Sequence, residues 1–515
     1  MSYMAKRRED RTSGRRSTEV VECDLDQGFV SPIHSIKDCT LTNIRIVLLR
    51  SRYVQLLLSL TLIGCFLRLY NLGFNSLWLD EATTYFEAKQ SIVQIWQTSS
   101  TAEFHPPLFN WIEHVMMAFG GSEIILRAVP ALSGILAIPV FYLIGKEFRD
   151  RNVGLISAAL LTVSYFGIFY SQEAKGYSVV LFVFSLVILF YLRALRSDKK
   201  SDWVTFGLLS ALAVWIHYYV LIALGVIFLH AIITLRERLM KDINEGKKIL
   251  IALCVMTVFI LPLLILVVER YFVLSSSAPT YGVLGPVLIL ETFIRFSGGY
   301  SSLSWIIAVV YFFMMVAGFI FLFSEDRDRC LFSGMFLVLP LIISIVLSSK
   351  ITMNPRYLIF LLPVFYPVIG MSFPGLYGWI PNRKILYAVL ILIFALNAPL
   401  LAGYYSSYSK EDWRGFSGSI PSKTNDGDLV VLVPGYMSQP FDYYYSNSTD
   451  KTIEYPAYTG KDLEAINSLK ENRTAYFIVT GDISAANPNG DAVAWLKDKT
   501  TLAGEDTGIY LFVSK

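Results

Sequence analysis

Charge is what this sequence has least of. Only 17% of its 515 residues are Asp, Glu, Lys or Arg, against 54% hydrophobic, and its mean hydropathy is +0.51. Such a composition excludes both an ordinary soluble domain and a disordered chain, and no nucleic-acid partner is expected. Cysteine is scarce too. The five, Cys23, Cys39, Cys65, Cys254 and Cys330, show no metal-ligand spacing, and three lie in or beside apolar runs, which excludes a disulfide framework and a zinc site. A cleavable signal peptide is not visible: "MSYMAKRREDRTSGRRSTEVVECDLDQ" is too poor in apolar residues for one and is expected to be a disordered cytoplasmic extension. The net charge of +3 says little, because in a membrane protein the distribution of charge decides.

What the chain has instead is apolar runs near the roughly 20 residues that cross a bilayer. About eleven spans are expected, near 53–71, 123–145, 153–170, 178–195, 203–217, 219–235, 249–268, 303–323, 331–348, 357–374 and 385–402. Every second break is basic ("GKEFRDR", "RALRSDKK", "LRERLMKDINEGKK", "EDRDR", "PNRK"). The positive-inside rule therefore puts these breaks and the N-terminus in the cytoplasm. The division expected is a tail over 1–52, a transmembrane domain over 53–402 and an extracytoplasmic domain over 403–515. The last reads as a small α/β domain, with strands in "DLVVLVP", "TAYFIVT" and "GIYLFVSK" and a helix in "GKDLEAINSLKEN". "FDYYYS" reads as a further core strand. The sequons at Asn447 and Asn472 fall on the same side.

The first extracytoplasmic loop, 71–122, holds "LWLDEATTYFEA". "WLDEATTYFEAKQSIVQIWQT" fits an amphipathic helix lying in the interface, and the double proline of "FHPPLFNWIEHVMMAF" starts a second one. Asp80 and Glu81 could simply favour a helix N-terminus. Their place at the hydrocarbon boundary points further, since a carboxylate there needs a cavity, a partner or water. On the same side lie His105, Arg127, Glu173, Lys175, His217, Tyr218 and Arg356. Arg68 and Lys175 fit side chains that snorkel to headgroups, whereas Arg127 and Arg356 are embedded in apolar helix starts. Acids, a histidine and cations converging on one leaflet suit an anionic phosphate held beside a carboxylate poised for proton transfer.

The order "LWLDEA … HPPLF … LRAVPALSG … YSQEAKGYS … NPRYLIFLLP" resembles the GT-C class of membrane glycosyltransferases, in particular the protein O-mannosyltransferase and aminoarabinose-transferase-like branch, over roughly residues 53–400. The resemblance implies transfer of a sugar from a polyprenyl- or dolichyl-phosphate donor to a protein, glycan or lipid acceptor on the outer face. Asp80 matches the essential acid of the family, with Glu81 beside it, and Arg127 matches an arginine of the mannosyltransferases. His105 stands where the aminoarabinose branch has a lysine before the proline pair. The expected roles are Asp80 and Glu81 in catalysis and Arg356, Lys175 and His105 on the donor phosphate. Arg127, Glu173, His217 and Tyr218 are expected to bind substrate. A single displacement would invert the anomeric centre. Mg²⁺ or Mn²⁺ could sit between an acid pair and a phosphate, but the cations can replace a metal and no cofactor is expected. The alternatives are a flippase for a lipid-linked sugar and a receptor working through 403–515; matched halves, the mark of a transporter, are not visible.

Overall fold

The chain threads back and forth as a bundle of apolar helices, because backbone groups in lipid must find their partners within the chain. The computed structural model describes residues 23–26, 29–32, 38, 40–101, 105–197, 199–241, 243–274, 282–445 and 452–515. Asn447, Cys39 and most of the N-terminal extension lie outside these residues; Asn472 is exposed.

Among the described residues, eight helices or helical stretches are long and apolar enough to cross a membrane: Arg52–Leu69, Glu123–Phe148, Tyr177–Ser197, Gly246–Leu264, Ser304–Glu325, Arg327–Leu347, Pro355–Trp379 and Lys384–Ser406. A ninth is the pair Arg151–Thr162 and Tyr165–Ser171, bent by 58°. The other two expected spans are the helix Lys200–Ile216 and the apolar stretch Val220–Arg236, both shorter.

The bend has a cause. Ser164 starts the second half by accepting a hydrogen bond from the Gly167 amide at 3.0 Å. Arg68 donates to the carbonyls of Leu161 and Thr162 at 2.9 and 3.2 Å, near where the first half ends. Arg68 is fully buried, so the snorkelling expected of it is corrected: its charge is held by backbone carbonyls inside the bundle. Close packing continues at Gly318, where an added Cβ would stand 2.0 Å from the Val368 carbonyl.

The described part of the tail is docked rather than disordered. The Cys23 carbonyl accepts from Tyr53 Oη at 2.7 Å and Asn152 Nδ2 at 2.8 Å. Asp26 accepts from Ser51 Oγ, the Arg52 amide and Arg151 at 2.5, 2.7 and 3.2 Å.

The loop after the first span folds into three helices, Leu79–Ala88, Ile92–Thr101 and Leu108–Met116. The single long helix expected from "WLDEATTYFEAKQSIVQIWQT" is broken at Ser91, whose hydroxyl accepts from the Gln94 amide and whose own amide donates to Gln94 Oε1. This reciprocal cap starts a new helix. Pro107 begins the third, as the proline pair led one to expect.

After Lys384–Ser406 the chain forms a five-stranded sheet of β1 (Leu429–Val433), β2 (Ile453–Pro456), β3 (Ala475–Thr480), β4 (Thr500–Asp506) and β5 (Ile509–Ser514), in the order β2-β1-β3-β5-β4. β1 is parallel to β2 and β3, and β5 is antiparallel to β3 and β4. Strand β1 is buried along its whole length, as a central parallel strand should be. Leu429, Val431 and Val433 pack with Leu463 and Leu496 on one face, and Val430 and Leu432 with Trp413 and Phe441 on the other. "FDYYYS" is not a strand: Ser438–Tyr445 is the crossover helix between parallel β1 and β2. Leu79 of the loop packs against the second of these faces, so the domain and the loop lie together.

Candidate active site

Asp80 and Glu81 occupy the first turn of the Leu79–Ala88 helix, and neighbours on a helix point about 100° apart. That divergence sends them to different arginines. Glu81 Oε1 and Oε2 accept from Arg127 Nε and Nη2 at 2.7 and 2.8 Å, a two-pronged pair. The Ala174 amide adds a bond at 2.8 Å and Lys410 an ion pair at 3.1 Å. Arg127 spends its remaining donors on the carbonyls of Leu72, Asn75 and Ser76. Burial alone would raise the Glu81 carboxyl, but the charges of Arg127 and Lys410 overcome it and hold the group down at about 2. The side chains of Arg127 and Glu81 are 1% and 0% exposed, and neither lines the main cavity.

Asp80 meets Arg356 instead, Oδ2 to Nη1 at 2.9 Å, with side chains 26% and 15% exposed. Arg356 is the second residue of the 3-10 turn Pro355–Leu361, where Asn354 caps its amide. Its guanidinium lies 5.4–5.6 Å from the rings of Trp78, Tyr177 and Tyr357, which favours a fixed cation. Its Nε has no hydrogen-bond partner.

Arg356 is also on the wall of a cavity of about 780 Å³. The same cavity is lined by Trp78, Phe169, Tyr170, Glu173, Tyr404 and Lys410, a mixture of aromatic faces and charge. Glu173 sits in the turn before Tyr177–Ser197, fully buried. Neither of its oxygens has a hydrogen-bond partner, and Lys410 Nζ is 3.4 Å away. Burial raises the Glu173 carboxyl above its usual range, with Lys410 working against the rise.

A small second pocket is lined by His105, Lys175 and His217. The rings of His105 and His217 are 6.0 Å apart, and the His217 ring lies 5.7 Å from that of Tyr177, which Arg356 also faces. His217 is 3% exposed and neither ring nitrogen has a partner. Lys175 is buried and has no carboxylate partner among the described residues, which corrects the expectation that it reaches to headgroups. Burial, with Lys175, His217 and Arg356 adding to it, holds the His105 imidazole well below its usual range. Its lining therefore holds one cation, Lys175, two neutral imidazoles and no carboxylate. Tyr218 is buried beside His217 and lines neither space.

The structure thus gathers Arg356, Glu173, Lys175, His105 and His217 around two adjoining spaces, sets Asp80 against Arg356, and turns Glu81 and Arg127 away. Sequence reasoning missed Lys410, Trp78 and Tyr404. Lys410 stands in polar "SSYSKEDW", where a lysine carries no signal. The first loop fixes this segment: Ser76 Oγ donates to the Glu411 carbonyl at 2.7 Å and accepts from the Trp413 amide at 3.0 Å. Tyr444 Oη accepts from the Leu77 amide and donates to Glu123, at 2.7 and 2.8 Å.

Residues 104–266 match the family described as dolichyl-phosphate-mannose-protein mannosyltransferase. That segment contains His105, Arg127, Glu173, Lys175 and His217, while Asp80 and Arg356 lie outside it. An uncharacterized protein of Aquifex aeolicus is 26% identical over 149 residues, a match spanning 26% of this chain and 28% of that relative. Among solved structures, ArnT from Cupriavidus metallidurans in the apo state superposes with a TM-score of 0.56 at 14% identity, covering 90% of this chain and 97% of that one. The same protein bound to undecaprenyl phosphate gives 0.53 at 13%, covering 90% and 98%. The apo oligosaccharyltransferase of Archaeoglobus fulgidus gives 0.53 at 14%, covering 90% and 74%. The chain has the fold of the GT-C membrane glycosyltransferases.

Proposed function

We propose that this protein transfers a sugar from a polyprenyl- or dolichyl-phosphate carrier to an acceptor at the membrane face carrying the C-terminal domain. The observation that carries the reading is the partly exposed Asp80–Arg356 pair, whose arginine stands on the wall of the roomy aromatic cavity and faces Tyr177, which lines the small pocket that holds Lys175. The family match and the ArnT structure with undecaprenyl phosphate support a lipid-phosphate donor.

The donor's phosphate enters beside Arg356, with Lys175 and His105 facing it from the small pocket and the sugar lying in the large one. Arg356 then has two anions to serve. Each hydrogen bond it gives to the phosphate weakens its hold on Asp80, so the carboxylate becomes a free base only when donor is bound. The acceptor's hydroxyl oxygen attacks the anomeric carbon while Asp80 takes its proton. The bond to the phosphate oxygen breaks with its electron pair, and the growing charge is met by Arg356 and Lys175. One displacement inverts the anomeric centre. The adjacent carboxylates diverge to separate arginines, so we give no step to a divalent metal. Glu81 and Arg127 hold the loop that presents Asp80.

By the charge of its loops the protein is a multi-pass protein of the cell membrane with a cytoplasmic N-terminus. The test is purified protein in liposomes with radiolabelled lipid-linked sugars and candidate protein, glycan and lipid acceptors. A covalent product lost in Asp80→Asn supports the reading. Sugar lipid moved across the bilayer unchanged would make the protein a flippase instead.

A further inference from the structure

Lys410 lies a few residues beyond the last membrane helix, yet its side chain is only 8% exposed. Its ammonium stands 5.3 Å from the ring centres of both Trp78 and Phe169 and reaches Glu81 and Glu173 together. The two acids differ in need. Glu81 already has Arg127 and the Ala174 amide. Glu173 has no hydrogen bond at either oxygen and faces the cavity. A buried carboxylate left so is costly, and Lys410 is its one ion pair among the described residues.

We propose that Lys410 is a positioning residue of the membrane site: its ammonium favours the ionised form of Glu173, whose two unpartnered carboxylate oxygens accept hydrogen bonds from hydroxyl groups of the donor's sugar. This rests on the transferase reading and gives it a sugar subsite. Aromatic walls and a charged acceptor are the chemistry that holds a polyhydroxylated ring, apolar on its faces and hydroxylated at its rim. Hydrogen bonds to an ionised acceptor are about twice as strong as neutral ones.

The groups that face Glu173 are Lys410 from the segment after the last span, Asp80 and Glu81 from the loop, and Arg356, with Tyr170, Tyr177 and Tyr300 around them. Arg356 is turned to Asp80, and both neighbouring acids repel a second negative charge. Without Lys410 the balance moves toward a protonated Glu173, which offers one fewer acceptor. Because the Ser76 bonds fix residues 411–413, the C-terminal domain becomes part of sugar recognition.

The full chain, with Lys410→Met and Lys410→Arg, is titrated with undecaprenyl phosphate and with undecaprenyl-phosphate-linked mannose between pH 6 and 8.5. Lys410→Met should lose about 10- to 100-fold in affinity for the sugar-bearing lipid and keep its affinity for the bare one. Its residual affinity should rise with pH as Glu173 ionises, and Lys410→Arg should restore most of the loss. Equal losses for both lipids, or no loss, would overturn the proposal alone. If the unsubstituted protein binds neither lipid, the donor reading falls and this proposal with it.

Discussion

Two ion pairs start from neighbouring residues and end in opposite surroundings. Glu81–Arg127 is sealed, with every donor and acceptor occupied. Asp80–Arg356 is a single, partly exposed contact, with Arg356 on a cavity wall and its Nε unpartnered. A sealed pair fixes geometry, since breaking it strands a buried charge. An open pair can exchange partners, which proton transfer requires. The helix that carries both acids therefore divides the labour between one that holds the loop and one that reacts.

The largest effect expected from breaking this contrast is on the open side. Asp80→Asn should lower transfer by about 10³-fold while leaving the thermal unfolding midpoint in detergent unchanged. Arg356→Ala should slow turnover by about 10²-fold or more and weaken donor binding, read from single-turnover rates and lipid titration. On the sealed side the pattern reverses. Glu81→Gln should cost about 3–5 kcal/mol of stability, seen as poor yield and a lowered unfolding midpoint, and any activity loss should follow the folded fraction.

The smallest effect concerns Glu113, buried on the Leu108–Met116 helix without a hydrogen bond at either oxygen. Burial raises its carboxyl to about 9 from an ordinary 4.5. The unfolded chain ionises above the lower value and the folded one only above the higher, so stability is full below 4.5 and falls as pH rises toward 9. Glu113→Gln should remove that decline, raising the unfolding midpoint at pH 8.5 but not at pH 4.

Much of the fold was legible. Apolar length marked the helices, and alternating turn formers and β-branched runs marked β1, β3 and β5. Strands β2 and β4 escaped because "IEYP" is short, "TTLAGED" is largely polar, and both are mostly exposed. The motifs that named Asp80, His105 and Arg356 were readable because each breaks an apolar context. That Asp80 and Glu81 part company was not, because the partners that separate them arrive from 276 and 46 residues away. Lys410 was invisible for the same reason: only the folded chain brings it beneath the domain that follows.

The most direct test of the division between the two pairs is the exchange of their acids' roles in one assay. Purified unsubstituted protein, Asp80→Asn and Glu81→Gln are compared in liposomes for covalent sugar transfer, with each rate normalised to folded protein. Asp80→Asn should form product about 10³-fold more slowly, and Glu81→Gln should transfer at a near-normal rate per folded molecule. Normal transfer by Asp80→Asn, or a folded and stable Glu81→Gln that is inactive, would contradict that division.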